Sequence, residues 1–511
     1  MKKALISVSD KSNLENLAKG LKDANFEIIA TGSTASAIKS FGIDCLTVED
    51  VTGFNEILGG RVKTLHPKIH GGILANLDLK EHKEELEKLN IPQISIVVCN
   101  LYPFEKVLEN PNASHSELIE NIDIGGVTLI RAASKNHNHV ALVCDPEDYD
   151  NIVDELKTKG EVSSETRLNL ATKGFIQTAK YDIMIANYFQ KKNETKDALL
   201  ISATLKNDLR YGENPHQKAG YYGNNKKTAY SIETSEILWG KALSFNNIYD
   251  LEAGLMTLKE FDKPCSVAIK HNTPCGVGVG EDIFEAYENC YNADPVSIFG
   301  GIVSLNRQVD ENLATKLNEI FLEIVLAPSF TEGALEILKK KKNLRILKIK
   351  IDKIEDKIEV KSVQDGFLVQ DTDLLNVKNE ELKVVTENKS EIDFDTLIFL
   401  QNICKFAKSN AIVIGQKGLL LGIGGGETNR IDACKLAMDR ALKNVSYKKD
   451  EPLFLASDAF FPFEDIIEFV KDHNVKYIIQ PGGSIRDKYV IEEANKVGIE
   501  IVFTGVRHFK H

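Results

Sequence analysis

Over its first 150 or so residues the chain alternates short apolar runs of β-forming residues with stretches whose apolar positions recur every three to four residues. The runs predict strands over Ala4–Val8, Phe26–Ala30, Ile94–Cys99 and Val140–Cys144. The longer periodic stretches predict helices over Ser12–Ala24, Thr34–Phe41, Lys80–Leu89 and Pro146–Lys159, the last with Asp145 as its cap and proline at its first position. This alternation predicts a mainly parallel sheet covered by helices on both faces, with ligands at the carboxyl ends of its strands. Residues 151–205 read as helical, with an amphipathic stretch over Glu165–Phe189, and Lys191–Lys196 reads as a linker.

Beyond residue 200 the pattern resolves into two further α/β halves, separated by a lysine-rich, strand-like hairpin region over Lys339–Val385. In each half a strand is expected to lead into a glycine-rich turn. The first is Cys265–Gly280, CSVAIKHNTPCGVGVG: an apolar run delivers Lys270 and His271 side by side before Asn272, Thr273 and Pro274 break the strand. Strict alternation would send adjacent side chains to opposite faces, so the pair is expected where the strand ends and twists into the turn. The second is the strand over Ala411–Gly415 followed by GIGGGETNR at 422–430.

Composition narrows the chemistry. A chain of 511 residues with 43% hydrophobic and 27% charged residues is a soluble globular protein of several domains. A net charge of −12 argues against nucleic acid or anionic membrane as partner, while leaving room for a local basic pocket. Eight cysteines without a CxxC pair indicate reduced thiols and a cytoplasmic location. The amino-terminal apolar run is too short for a signal peptide, and no stretch has the length of a membrane span. Gly422-Ile423-Gly424 and Gly276-Val277-Gly278 place Glu427 and Glu281 where a dinucleotide fingerprint needs Gly or Ala. Pro274-Cys275 lacks the second thiolate of a zinc deaminase, because position 278 is Gly.

The polar ends of the predicted strands supply candidates. Ser7, Ser9, Asp10, Lys11 and Ser12 follow the first strand, and Thr31-Gly32-Ser33-Thr34 follow the second, each at a helix start suited to a phosphate. Taken singly, Ser12 and Thr34 read first as caps of their helices, and it is the two such turns in one small domain that point to an anion site. The loop 59–72 packs Arg61, Lys63, His66, Lys68 and His70 between glycine pairs, and Tyr102, Asp123, Arg131 and Lys135 follow. These offer a phenol, a carboxylate and cations for acid–base work on an anionic substrate.

These segments together resemble the bifunctional AICAR formyltransferase/IMP cyclohydrolase family of purine biosynthesis, over essentially the whole chain. The resemblance rests on SVSDK at 7–11, GGRVKTLHPKIHGGIL at 59–74, CNLYPF at 99–104, and DIGG with AASKN at 123–136. It continues through LRYGENPHQ at 209–217, KHNTPCG at 270–276, FGG at 299–301, SDAFFPF at 457–463 and RHF at 507–509. It implies a methylglyoxal synthase-like parallel-sheet domain (residues 1–195, core about 1–146) that carries the cyclohydrolase. It also implies a formyltransferase region (196–511) made of two cytidine deaminase-like α/β subdomains without zinc, about 200–370 and 390–511.

By the same resemblance, Lys63, Tyr102, Asp123 and Lys135 serve ring closure, while Ser9, Lys11, Thr31, Gly32, Ser33, Thr34, Arg61, Thr64, Asn100 and Gly125 hold the nucleotide. Formyl transfer from 10-formyltetrahydrofolate to AICAR, with no catalytic metal, falls to His271 as base and Lys270 as oxyanion partner, with His216 relaying protons. Arg210, Asn410, Arg430, Phe461 and Arg507 are expected to hold AICAR, and Asn246, Gly300, Gly301 and Glu323 the folate. Glu323 stands where some relatives have Asp, which leaves its folate contact one methylene out of register. The resemblance further implies a homodimer that shares the transferase site. A reading of another class, a nucleotide-binding regulator without catalysis, is disfavoured by the presence of Lys63, Lys270 and His271.

Overall fold

The structure is a computed structural model and describes residues 2–224, 231–352, 358–387 and 391–511, so part of the expected Lys339–Val385 region falls outside the described residues. The chain divides into two compact units, Met1–Ser202 and Ala203–His511.

The first unit is built on a five-stranded sheet: β1 (Lys2–Val8), β2 (Phe26–Ala30), β3 (Leu46–Thr47), β4 (Ile94–Asn100) and β5 (Ala141–Val143). All pairs are parallel, in the order β3-β2-β1-β4-β5. Alternation along β1 sends Ala4, Ile6 and Val8 into one core and Leu5 into the other. Both faces are therefore buried, which is why these strands read as continuous apolar runs. Its helices include α1 (Leu14–Asp23), α2 (Gly32–Ser40), α3 (Pro67–Leu74), α4 (Lys80–Lys88), α5 (Gly125–Lys135), α6 (Tyr149–Lys159) and α7 (Ser164–Asn193). Asp145 caps the 3₁₀ turn Pro146–Asp148 that leads into α6.

Two local expectations are corrected. Ser12 does not cap α1: its hydroxyl donates to Asp10 at 2.7 Å, and Asn13 in a left-handed conformation opens the helix instead. Lys191–Asn193 is not linker but the last turn of α7, where Lys191 and Lys192 complement the negative end of the helix dipole.

The second unit holds two six-stranded mixed sheets of the same topology. The first contains β8 (Glu236–Trp239), β9 (Cys265–Lys270), β10 (Thr273–Val279), β11 (Ile302–Leu305), β12 (Ile324–Ala327) and β13 (Arg345–Lys348), with β6 (Thr204–Leu209) and β7 (Ala219–Gly223) paired outside it. The second contains β16 (Lys383–Val384), β17 (Ile412–Gln416), β18 (Leu419–Gly424), β19 (Leu453–Ser457), β20 (Val475–Gln480) and β21 (Glu500–Phe503). The orders β10-β9-β11-β12-β13-β8 and β18-β17-β19-β20-β21-β16 correspond strand for strand. Between the sheets in sequence, β14 (Ile358–Val363) and β15 (Gly366–Asp371) form an antiparallel hairpin. The principal helices are α8 (Phe245–Leu258), α9 (Ile283–Ala293), α10 (Phe394–Cys404) and α11 (Arg430–Lys443). Among the described residues no helix is long and apolar enough to cross a membrane.

Part of each expected glycine-rich turn is strand: β10 takes in Gly276 and Gly278, and β18 runs to Gly424, leaving 425–429 as the turn before α11. Gly276 and Gly278 alternate along β10, and a Cβ on either would strike the α9 backbone at Cys290 or Ala286. Gly422 and Gly424 do the same for α11 at Ala437 and Ala433. The period of two clears one strand face for a helix laid directly on it. Pro274 does not break the strand either, because β10 lies at the sheet edge, where a missing N–H is tolerated.

Candidate functional site

In the first unit the loop after β1 is fastened by side chains that the sequence marks as ligand contacts. The Asn100 carboxamide accepts the N–H groups of Ser9 and Asp10 at 2.7 and 2.9 Å and donates to Asp10 O at 2.9 Å. The Thr34 hydroxyl, fully buried, accepts from Val8 N and donates to Val8 O, each at 3.2 Å. Thr31 is buried and directs its hydroxyl to Ser7. Asn100, Thr31 and Thr34 therefore shape the site, and their side chains are spent on the protein. Gly32 and Ser33 are exposed at the start of α2, where no side chain caps the helix. That N-terminus presents free N–H groups and the positive end of a nine-residue helix dipole, a setting that suits an anion.

A second group gathers at the start of α5. Asp123 accepts Gly126 N at 2.7 Å and Tyr102 N at 3.3 Å, and its own N–H donates to the Tyr181 hydroxyl at 2.8 Å. Burial pushes the Asp123 carboxyl up, against those two hydrogen bonds and the nearby Lys63 cation. Gly60, at φ 89°, lets the Lys63 stem fold over it, and the ammonium lies 3.4 Å from Glu56. The buried Thr64 hydroxyl sits where a Cβ on Gly125 would come within 3.1 Å of it. Lys63, Thr64, Tyr102, Asp123 and Gly125 thus converge. Arg61 pairs with Glu120. Lys135 is not brought to them within the chain: it stands at the far end of α5, about 15 Å along the helix axis from Gly125. The basic loop also shrinks, because His66 caps α3 and Lys68 donates to Val51 O.

In the second unit His271 and Asn272 form a two-residue hairpin turn at φ 55° and 59°, between the last residue of β9 and the first of β10. Left-handed conformation at both central positions is the type I′ geometry, and it resolves the alternation problem: Lys270 belongs to the strand and His271 to the turn. The Lys270 ammonium donates to Phe299 O at 2.8 Å, which ties it to the FGG turn, and the His271 side chain is exposed. Gly300 N donates to Phe321 O at 2.7 Å, and Glu323 N to Gly301 O at 3.0 Å. The half-exposed rings of Phe299 and Phe321 lie 5.6 Å apart beside this turn.

One helix face holds the surrounding loops. On α8, Asn246 donates to Glu213 O, Asn247 donates to Glu323 Oε2 at 2.8 Å, and Asp250 accepts Asn272 N at 2.7 Å. Glu213 belongs to the loop that carries Arg210 and His216, both exposed. Asn247 and Asp250 were missed from sequence. Their spacing on one helix face was the available signal.

The second half collects its polar residues at the other end of its sheet. Arg430 is buried, paired with Asp458 and bonded to Ser457 Oγ at 2.9 Å, and it donates to Asn410 Oδ1 at 2.9 Å. It therefore orients Asn410. Phe461 is fully buried in an apolar core, while Phe460 and Phe463 are the exposed rings of that segment. Arg507 is exposed and stacks over Phe509 at 4.3 Å.

A family model described as "AICARFT/IMPCHase bienzyme" matches residues 133–440. The chain belongs to that family. A model described as "MGS-like domain" matches residues 13–128 of this AICARFT/IMPCHase bienzyme. Proteins named "Bifunctional purine biosynthesis protein PurH" are similar over 100% of this chain and 100% of their own length. They include those of Anoxybacillus flavithermus at 49% identity, Caldicellulosiruptor saccharolyticus at 50% and Limosilactobacillus reuteri at 47%. A solved structure titled "Crystal structure of ForH" covers 37% of this chain and 98% of its own, at 35% identity and a TM-score of 0.34. The bienzyme's two activities are AICAR formyl transfer and IMP cyclohydrolase, the last steps of purine synthesis, and the first requires a formyl donor.

Proposed function

We propose that the formyl donor is 10-formyltetrahydrofolate and that its formyl group passes to the 5-amino group of AICAR beside the His271 turn. The observation that carries this is the turn itself, which presents an exposed imidazole next to an ammonium fixed at 2.8 Å on a backbone carbonyl. The AICAR amine is a weak nucleophile because its lone pair is delocalised into the ring. His271 removes a proton as the amine nitrogen attacks the formyl carbon, and Lys270 stabilises the oxyanion that forms. Collapse of the tetrahedral species breaks the bond to the donor nitrogen, which leaves with a proton. Phe299 and Phe321 offer flat apolar surface to the pterin, next to Gly300, Gly301, Glu323 and Asn246. Arg210, Arg507 and the Asn410 held by Arg430 are assigned to AICAR, and His216 to proton relay. In the reading a homodimer completes the transferase site, and the enzyme works in the cytoplasm, where its eight unpaired thiols persist.

Ring closure is assigned to Lys63, Tyr102 and Asp123, with the phosphate at the α2 start near Ser9, Lys11, Gly32 and Ser33. The carboxamide nitrogen attacks the formyl carbon, Lys63 stabilises the oxyanion, and Asp123 and Tyr102 move the protons that leave with water. Lys135, remote within one chain, enters this site only from outside the constellation described. The test supplies AICAR and 10-formyltetrahydrofolate to the purified protein and measures formyl-AICAR and IMP. Both are expected, and Lys63→Met is expected to halt IMP while formyl-AICAR accumulates. Absence of both products from the unmodified enzyme overturns the reading.

A further inference from the structure

We infer that Asp250 is a positioning residue for formyl transfer: its carboxylate fastens the left-handed His271–Asn272 turn to α8. The inference rests on His271 being the base. Two consecutive residues other than glycine in left-handed conformation cost backbone energy and persist only when something over-determines them. Here the fastening is the Asp250 Oδ1 bond to Asn272 N at 2.7 Å. Asp250 belongs to the α8 face whose Asn246 and Asn247 hold the 210–217 loop and Glu323. One rigid helix therefore sets the spacing between the turn, the loop and the start of β12.

Half-burial pushes the Asp250 carboxyl up and Glu323 adds a smaller push, while the turn amide and the His271 side chain oppose them. Glu323 is in turn 3.8 Å from Arg345, and Lys270, next in chain to the turn, is fixed on Phe299 O.

The experiment compares Asp250→Ala, Asp250→Asn, Asp250→Glu and His271→Ala in the full chain, measuring kcat and KM for formyl transfer and the cyclisation of supplied formyl-AICAR. Asp250→Ala is expected to lower transfer kcat by about tenfold to a hundredfold with KM for AICAR little changed, and cyclisation is expected to persist. Asp250→Asn keeps an acceptor for the turn and is expected to restore most of the lost kcat, while Asp250→Glu displaces the acceptor by one methylene and is expected to lower kcat as Asp250→Ala does. The split between kcat and KM, with rescue by the conservative variant, is a readout that a merely structural role would not move. If Asp250→Ala does not fold, Asp250→Glu decides in its place. Wild-type kcat in the variant that decides, alongside a collapsed His271→Ala, overturns the inference and leaves the base assignment standing. A fully active His271→Ala overturns the base assignment and this inference with it.

Discussion

The two halves of the second unit carry one topology and use it in opposite directions. In the first, β9 ends at Lys270 and turns through His271 and Asn272; in the second, β17 ends at Gln416 and turns through Lys417 and Gly418, at φ 36° and 78°. Gln416 is buried, donating to Lys448 O and Glu451 O at 2.8 Å each and accepting Lys448 N at 3.0 Å, so this end of the second sheet is sealed by one carboxamide. At the other end the roles reverse. Asn306 follows β11, and its carboxamide accepts Cys265 N at 2.8 Å while donating to Phe261 O and Lys263 O. At the matching place after β19 stands Asp458, bound to Arg430 and Ser409 beside Asn410. Each half keeps one polar end and closes the other with an Asn or Gln.

The difference teaches which part of such a sheet is free to carry chemistry. The polar end of the second half lies at the carboxyl ends of the parallel strands β19, β20 and β21, where ligands of α/β sheets are expected. The polar end of the first lies at the amino ends of β11, β12 and β13, reached because β9 and β10 run as an antiparallel hairpin. The largest effect that tests this contrast is at the turn. His271→Asn keeps a residue that tolerates left-handed backbone, so unfolding in urea is expected to change little while formyl transfer falls by about 10²–10⁴-fold. A large loss of stability would make His271 a turn-former first and a base second.

Much of this was legible in sequence. The strands of the first unit fall where the apolar runs put them, because burial on both faces leaves few polar interruptions. The Lys270–His271 pair stood out because two polar residues end an apolar strand. Three things were hidden. A period-two glycine pattern looks like a loop unless the helix that covers it is known, which concealed β10 and β18. A polar residue spent on the protein looks the same in sequence as one offered to a ligand, as Thr34, Asn100 and Arg430 show. Phe461, between two exposed rings in FFPF, could not be told from its neighbours without the backbone direction.

What the halves share should be tested at equal cost. Gly278→Ala and Gly424→Ala each drive a methyl into the backbone of the helix above, α9 and α11 respectively. Each is expected to lower stability by about 1–3 kcal/mol, read as a shift in the urea midpoint without a change in slope. Unequal penalties would mean that the two strand–helix contacts have diverged along with the chemistry.

The smallest effect is expected at Lys417, the second half's counterpart of His271. Its φ of 36° strains an ordinary side chain, and the residue after it is already Gly, so the pair is one substitution from the Asn-Gly sequence that type I′ hairpins favour. Lys417→Asn should therefore raise stability by a few tenths to about 1 kcal/mol, seen as a higher urea midpoint, with both activities intact. The same replacement made at the two matching turns would then strengthen one and silence the other. If Lys417→Asn instead impairs formyl transfer, the sealed end behind Gln416 contributes to the site, and the assignment of one working end to each half fails.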